Sequence, residues 1–345
     1  MNGLILPVRG AIEGFSPFSL GLLGAGWATG FIIGCLIVPR TVRRVGHIRT
    51  FGALTALAAI SILLSLLIMS PWAWVPLRAI SGFCFAGAAQ IMESWLNEKS
   101  DAESRGSVFG VYAMVNLASN TAGQMVLPLG DPSTEVFFVL GAVFYALALL
   151  PTALYASQQP NPLTEVNLDL PKLWRNSPIA VAGVLLVGVA NSAVGTLAAV
   201  YGNALAMSVT TIAVFVSVFL LAGALAQMPV GVLSDRMDRR HVLAGVTLGA
   251  IATSAFFIAV APRDIVTVMI AAAVLGACIH VMYPLLVNHA NDHAPDGDFL
   301  RTSGGLLLMF GVGSIIGPLI AGAAMSLSGP EGLFMTLVGA HICLL

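Results

Sequence analysis

Apolar residues run along this chain in stretches long enough to cross a bilayer, separated by short polar clusters. A transmembrane helix needs about 20 mostly apolar residues, and the gaps between charged residues supply ten such stretches. They are 18–38, then 50–77 with a turn at Ser70-Pro71-Trp72-Ala73-Trp74, then 75–95 with only Arg78 and Glu93 inside it. Next come 106–130, 136–156 and the charge-free 176–234, which holds two spans joined by a polar hairpin near Tyr201-Gly202-Asn203. The last three are 242–261, 265–288 and 302–325. Residues 2–8 and 332–345 are apolar but too short to cross, and are read as partial first and last spans. Residues 157–177, with prolines, Glu165, Asp169 and Lys172, read as a linker along the membrane surface.

Composition sharpens this pattern into a fold class. Only 9% of the 345 residues are charged and 58% are hydrophobic, where a soluble domain carries about a quarter charged residues. The expectation is an all-α membrane protein. The net charge of -1 gives no basic face for nucleic acid. Cys35, Cys84, Cys278 and Cys343 all sit in apolar stretches without CxxC spacing, which makes them packing residues rather than metal ligands. No cofactor motif is found, and no GxxxxGK[ST] loop for ATP.

Basic residues give the orientation. Arg40, Arg43, Arg44, Arg49, Lys99, Arg105, Lys172, Arg175, Arg236, Arg239, Arg240 and Arg301 fall on one side of the expected spans. Only Arg9, Arg78 and Arg263 fall on the other. The first side is therefore cytoplasmic.

The chain also repeats. Arg40-Thr-Val-Arg43-Arg44 and Arg236-Met-Asp-Arg239-Arg240 each close an apolar stretch, 196 residues apart, and the same shift carries Arg105 onto Arg301. Two landmarks with one offset indicate an internal duplication. The expected domains are an N-terminal bundle (1–156), a central linker (157–177) and a C-terminal bundle (178–345). Repeated six-span halves with a binding site near the midplane are a recurrent transporter architecture.

Gly231-Val-Leu-Ser-Asp235-Arg236-Met-Asp-Arg239-Arg240 resembles the G-x-L-x-D-R-x-G-R-R signature loop of the major facilitator superfamily, with Asp238 where a glycine is usual. A degenerate first copy follows the second span, from Gly34 to Arg44. Arg78-x-x-x-Gly82-x-x-x-Ala86-Gly87 resembles the family's motif in span four, whereas its GPxxG motif is absent from span five. Glu93-Ser-Trp-Leu-Asn-Glu98 resembles a YcaD-like bacterial branch. The resemblance covers the whole chain and implies two pseudo-symmetric six-helix bundles in a bacterial inner membrane.

Candidate chemistry lies in the polar residues inside spans. Tyr112, Asn116, Asn120 and Gln124 recur every four residues and share one helix face. Hydrocarbon cannot satisfy amides, so this stripe is either interhelical glue or a substrate-facing surface. The resemblance favours the second reading, since span five borders the family's cavity. Asn191 and Arg78 are further substrate candidates. Ionisable groups within spans are costly and usually functional. Glu13 and His280 are the proton-coupling candidates, beside a local Arg9–Glu13 pair and a structural histidine as the plainer readings. The basic loops read as topological anchors or as a gate. For Asp235, with Arg236, Arg239, Arg240, Glu93 and Arg105, a gate is favoured, Asp235 sitting at the start of the 106–130 helix. Gly26, Gly30 and Gly34, like Gly313, Gly317 and Ala321, read as close helix packing.

The expected function is secondary active transport of a small solute by alternating access. The expected partners are that solute, membrane lipid and a proton gradient, with the chain acting as a monomer. Two rivals stand beside it: a truncated or degenerate carrier, suggested by the short end spans, and a membrane-embedded enzyme. The enzyme would need a catalytic constellation, and the nearest, Asn288-His289-Ala-Asn291-Asp292-His293, reads as a polar loop.

Overall fold

The computed structural model describes residues 2–100, 105–154, 170–292 and 299–345. Most of the 157–177 linker lies outside the described residues. Among the described residues there are thirteen α-helices and no strand. Six come first: α1 (Asn2–Ile12), α2 (Pro17–Val45), α3 (His47–Leu67), α4 (Pro71–Lys99), α5 (Arg105–Met125) and α6 (Val136–Leu154). The short α7 (Leu170–Asn176) precedes six more: α8 (Pro178–Ala204), α9 (Val209–Arg236), α10 (Arg239–Val260), α11 (Ile265–Asp292), α12 (Phe299–Ser328) and α13 (Gly332–Leu344). Eight of them (α2, α3, α4 and α8 to α12) contain segments long and apolar enough to cross a membrane. Side chains such as Leu225 and Met228 stand 77% and 79% exposed, as apolar groups on a surface not turned to water do.

Several helix ends differ from the expected span ends. Charged residues mark where the hydrocarbon stops, but arginine is a good helix former. The helix α2 therefore continues through Arg40, Arg43 and Arg44 to Val45. Likewise α11 runs on through Asp292, so Asn288 to Asp292 are helical rather than a loop, and His293 lies outside the described residues. Pro71 and Trp72 belong to the first turn of α4, where a proline lacks no hydrogen bond. The α8–α9 turn follows Ala204, not Tyr201.

The chain divides by contacts into two compact units, 1–9 with 26–165 and 10–25 with 166–345. In the first, α3 packs on α4 and α6. Val38, Val42, Phe51, Leu54, Ala58, Cys84 and Ile91 form a buried cluster there, with Tyr145 against it. Two polar contacts inside this unit are made between near neighbours. Ser61 and Ser81 share a hydrogen bond of 3.0 Å, and the Trp74 indole donates to the Ser65 carbonyl at 2.8 Å. The inner part of α2 lies directly on α4: a Cβ on Gly30 would enter the Ala79 carbonyl, and one on Gly26 would lie 2.8 Å from the Val75 oxygen. The expected close packing at Gly26, Gly30 and Gly34 is this contact.

The second unit packs by the same means. A Cβ on Gly313 would enter the Leu185 carbonyl, and one on Gly317 that of Val189, so α12 and α8 touch backbone to backbone. A Cβ on Gly276 of α11 would likewise run into the Phe219 carbonyl of α9. Residues 17–25 of α2 belong here, with the Phe18 amide donating to Ser326 Oγ at 3.2 Å. Tyr201, expected in a polar turn, is fully buried instead. Its ring meets Phe215 and Phe257 at 6.0 Å and Phe334 at 4.9 Å. Burying so large a ring outweighs its hydroxyl, whose oxygen is enclosed without a hydrogen-bond partner among the described residues.

Candidate functional site

The polar stripe of α5 is positioned by helix periodicity alone, and each of its side chains is described. Asn116 Nδ2 donates to the Tyr112 carbonyl at 3.1 Å, and Asn120 Nδ2 to the Asn116 carbonyl at 3.1 Å. One N–H of each amide is thus used within its own helix. Asn120 is exposed and Asn116 and Gln124 are half-buried. At the top of the stripe the Tyr112 hydroxyl donates to Glu93 Oε1 of α4 at 3.5 Å. The structure so joins a residue expected at the substrate to one expected at the gate.

The remaining candidates are dispersed. Arg78 is half-buried in α4. One of its terminal nitrogens lies 3.8 Å from where a Cβ on Gly3 of α1 would stand, and Tyr145 of α6 is within electrostatic range. Asn191 is in the middle of α8, with its Oδ1 buried and without a partner among the described residues. His280 of α11 is pressed onto Gly223 of α9: a Cβ there would lie 2.6 Å from the His280 Cβ. Glu13 is exposed in the turn between α1 and α2. Arg9 reaches the Pro132 carbonyl at 3.3 Å. Beside it, Asp131 accepts the Ser133 amide at 2.8 Å, and that bond holds its carboxyl below the ordinary carboxylate range.

The signature segment is a tight helix junction, not an open loop. Asp235 and Arg236 end α9, Met237 and Asp238 connect, and Arg239 and Arg240 open α10. Arg239 pairs with Asp235 at 3.5 Å and donates to Ser234 Oγ at 3.4 Å. Asp238 caps α10 by accepting the Arg240 amide at 2.9 Å. An aspartate at this position stabilises the first turn of the helix, which gives a physical role to the residue standing where glycine is usual. Arg236 and Arg240 are exposed. The Arg105 side chain lies outside the described ones.

Sequence reading missed Gln90. Its Nε2 donates to the Cys35 carbonyl at 3.3 Å while its Oε1 is buried without a partner among the described residues. An amide in an apolar span, three residues before Glu93, was the available signal. It also missed the ring trio of Trp27 and Phe31 on α2 with Phe85 on α4, mutually 5.3–6.3 Å apart. The four-residue spacing of Trp27 and Phe31 marks one face, but says nothing of what packs there. Among the described residues no group of three or more His, Cys, Asp or Glu converges in a metal-holding arrangement.

Comparison with known proteins agrees with this architecture. The family model described as Major Facilitator Superfamily matches residues 1–205 and 180–345. A protein named "Uncharacterized MFS-type transporter YcaD", from Escherichia coli O6:K15:H31 (strain 536 / UPEC), is 26% identical over 342 residues, covering 96% of this chain and 86% of the relative. Among solved structures, the nucleoside transporter NupG superposes with a TM-score of 0.81 at 12% identity, over 99% of this chain and 92% of that one. A bacterial homolog of the human lysosomal transporter Spinster, in an inward-facing and occupied conformation, gives 0.75 at 16% identity, over 99% and 90%. At such identities the structures speak for the fold alone. With its six-plus-six helix order, its two family matches and its eight apolar helices long enough to cross a membrane, the chain belongs to the Major Facilitator Superfamily and is a multi-pass membrane protein of a transporter family, not an enzyme.

Proposed function

We propose that this protein is a secondary active transporter that carries a small solute by alternating access, driven by a proton gradient. The observation that carries the reading is the α5 face. Tyr112, Asn116, Asn120 and Gln124 spend four polar side chains on one side of a helix, and in a membrane such groups are retained where they meet protein, water or solute. Arg78 and Asn191 complete the proposed substrate contacts. Glu13 and His280 are the proposed coupling residues. The α9–α10 junction, with Asp235, Arg236, Arg239 and Arg240, acts as a gate together with Glu93 and Arg105. The bundles are residues 1–156 and 178–345, joined by the 157–177 linker, in a monomer set in a bacterial inner membrane.

The test is uptake or efflux in proteoliposomes with an imposed proton gradient, across a panel of solutes. The expected outcome is gradient-dependent movement of at least one solute, lost when Asn116, Asn120 and Gln124 are all replaced by alanine. Transport that survives the triple substitution unchanged sinks the α5 face as the substrate surface. For the gate, Asp235→Asn is expected to change the labelling pattern of single cysteines placed along α9. An unchanged pattern counts against it.

A further inference from the structure

Within the second unit, α10 and α11 leave a groove of about 380 Å³ between them, walled by Ala252, Thr253 and Phe256 on one side and Thr267, Ile270 and Val274 on the other. It lies on an exposed face: Ile270 and Val274 are 60% and 47% exposed. Its two threonines do not make it polar. Thr253 donates its hydroxyl to the Gly249 carbonyl at 2.8 Å, and Thr267 to Asp264 Oδ2 at 2.9 Å. With both hydroxyl protons spent, neither donates to a ligand, and the rest of the wall is hydrocarbon. From Thr267 to Val274 the groove follows α11 for about 10 Å, whereas the hydrocarbon of one leaflet is about 15 Å deep. The groove therefore fits within one leaflet, toward the end of α10 remote from Arg239 and Arg240.

Both signs of charge stand at its end. The α10–α11 turn is short and fixed on either side. Ala261 takes the left-handed conformation and donates its amide to the Phe257 carbonyl at 3.2 Å. Asp264 accepts the Thr267 amide at 2.9 Å. Thr267 is thus both groove wall and partner of Asp264, which sets the turn at the end of the groove. Arg263 and Asp264 are exposed, and among the described residues no carboxylate forms an ion pair with Arg263. A guanidinium pairs well with a phosphodiester. The carboxylate beside it repels a second negative charge and attracts an ammonium. Hydrocarbon between the helices with a cation and an anion at the mouth matches a molecule that has an apolar tail and a head of both signs.

We propose that this groove binds a zwitterionic glycerophospholipid, one acyl chain between α10 and α11, its phosphodiester on Arg263 and its ammonium on Asp264.

The test is native mass spectrometry of the delipidated full chain, titrated with phosphatidylethanolamine and separately with phosphatidylglycerol of the same acyl chains. Expected is one phosphatidylethanolamine per chain, held more tightly than phosphatidylglycerol. Arg263→Gln is expected to weaken it about fivefold. Asp264→Asn, which keeps an acceptor for Thr267, is expected to remove the preference between the two lipids. Ala252→Phe, which fills the groove, is expected to lose the bound lipid. Ala255→Phe, exposed on the same helix but outside the groove, is expected to bind as wild type. Equal retention of the two lipids by wild type, or undiminished retention by Ala252→Phe, overturns the proposal. Should the variants fail to fold, the wild-type chain holding one phosphatidylethanolamine with a diazirine on its acyl chain is photolysed instead. Label within residues 252–274 is expected, and label confined to other helices overturns the proposal.

Discussion

The Tyr201 hydroxyl is enclosed by Phe215, Phe257 and Phe334 and its oxygen finds no partner among the described residues. A buried donor without a partner carries a desolvation penalty of about 1–3 kcal/mol. Tyr201→Phe is therefore expected to leave thermal stability unchanged or raise it, whereas Tyr201→Ala opens the ring nest and costs about 3–5 kcal/mol. A scanning melt in detergent reads both, and a clear loss of stability in Tyr201→Phe refutes the account. Asp264 presents the opposite case, an exposed carboxylate with a defined task. It accepts the Thr267 amide and hydroxyl, both at 2.9 Å, and the amide bond first, then the hydroxyl, holds its carboxyl below the ordinary range. The folded-state pKa is thus the lower one. The contribution to the first turn of α11 is present above the ordinary carboxylate pKa and fades as pH falls through the depressed one. Hydrogen exchange at residues 265–268 is expected to quicken in Asp264→Ala at neutral pH and to converge with wild type in strong acid. A gap that persists in strong acid rejects this.

Single helices show what governs the packing. The apposition of α2 and α4 depends on Gly30, because a Cβ there enters the Ala79 carbonyl, a backbone atom that cannot rotate away. Gly30→Ala is expected to cost about 1–3 kcal/mol and to lower the yield of folded protein. Gly245→Ala in α10, where a Cβ meets nothing within 4 Å, is expected to gain about 0.5–1 kcal/mol from helix propensity. Comparing the two melts checks the argument, and equal effects would refute it. The spacing of Gly26, Gly30 and Gly34 announced a tight helix face. It did not name the facing helix, because four-residue periodicity fixes a side of one element and leaves its partner open. Asp238 illustrates another limit. It stood out as a departure from a motif, and its role as the cap of α10 follows only from where the helix begins, a boundary set by the two-residue connection between α9 and α10.

For the whole molecule, hydrophobic periodicity and charge spacing were enough to read the order of the helices. Apolar length and arginine position are imposed by the bilayer itself, so they survive in the sequence without any knowledge of contacts. The site was less legible. Tyr112, Asn116, Asn120 and Gln124 could be placed on one face, yet the bond from Tyr112 to Glu93 joins residues on two helices, and the ring trio needs α2 and α4 side by side. Contacts of that kind depend on tertiary geometry. The glycine contacts have a further consequence, at the level of the gene. Any single-base change that turns a glycine codon into another amino acid adds a Cβ. At Gly30, Gly82 and Gly188 that atom would stand inside a neighbouring backbone carbonyl, of Ala79, Trp27 and Phe310 respectively. No one-step missense change is available at these codons that leaves the packing intact, while Gly195, Gly245 and Gly339 have room for a methyl group. Descendants of this gene are expected to drift freely at the second set and to keep the first, so the steric map of the helices is also a map of where its lineage has freedom to change.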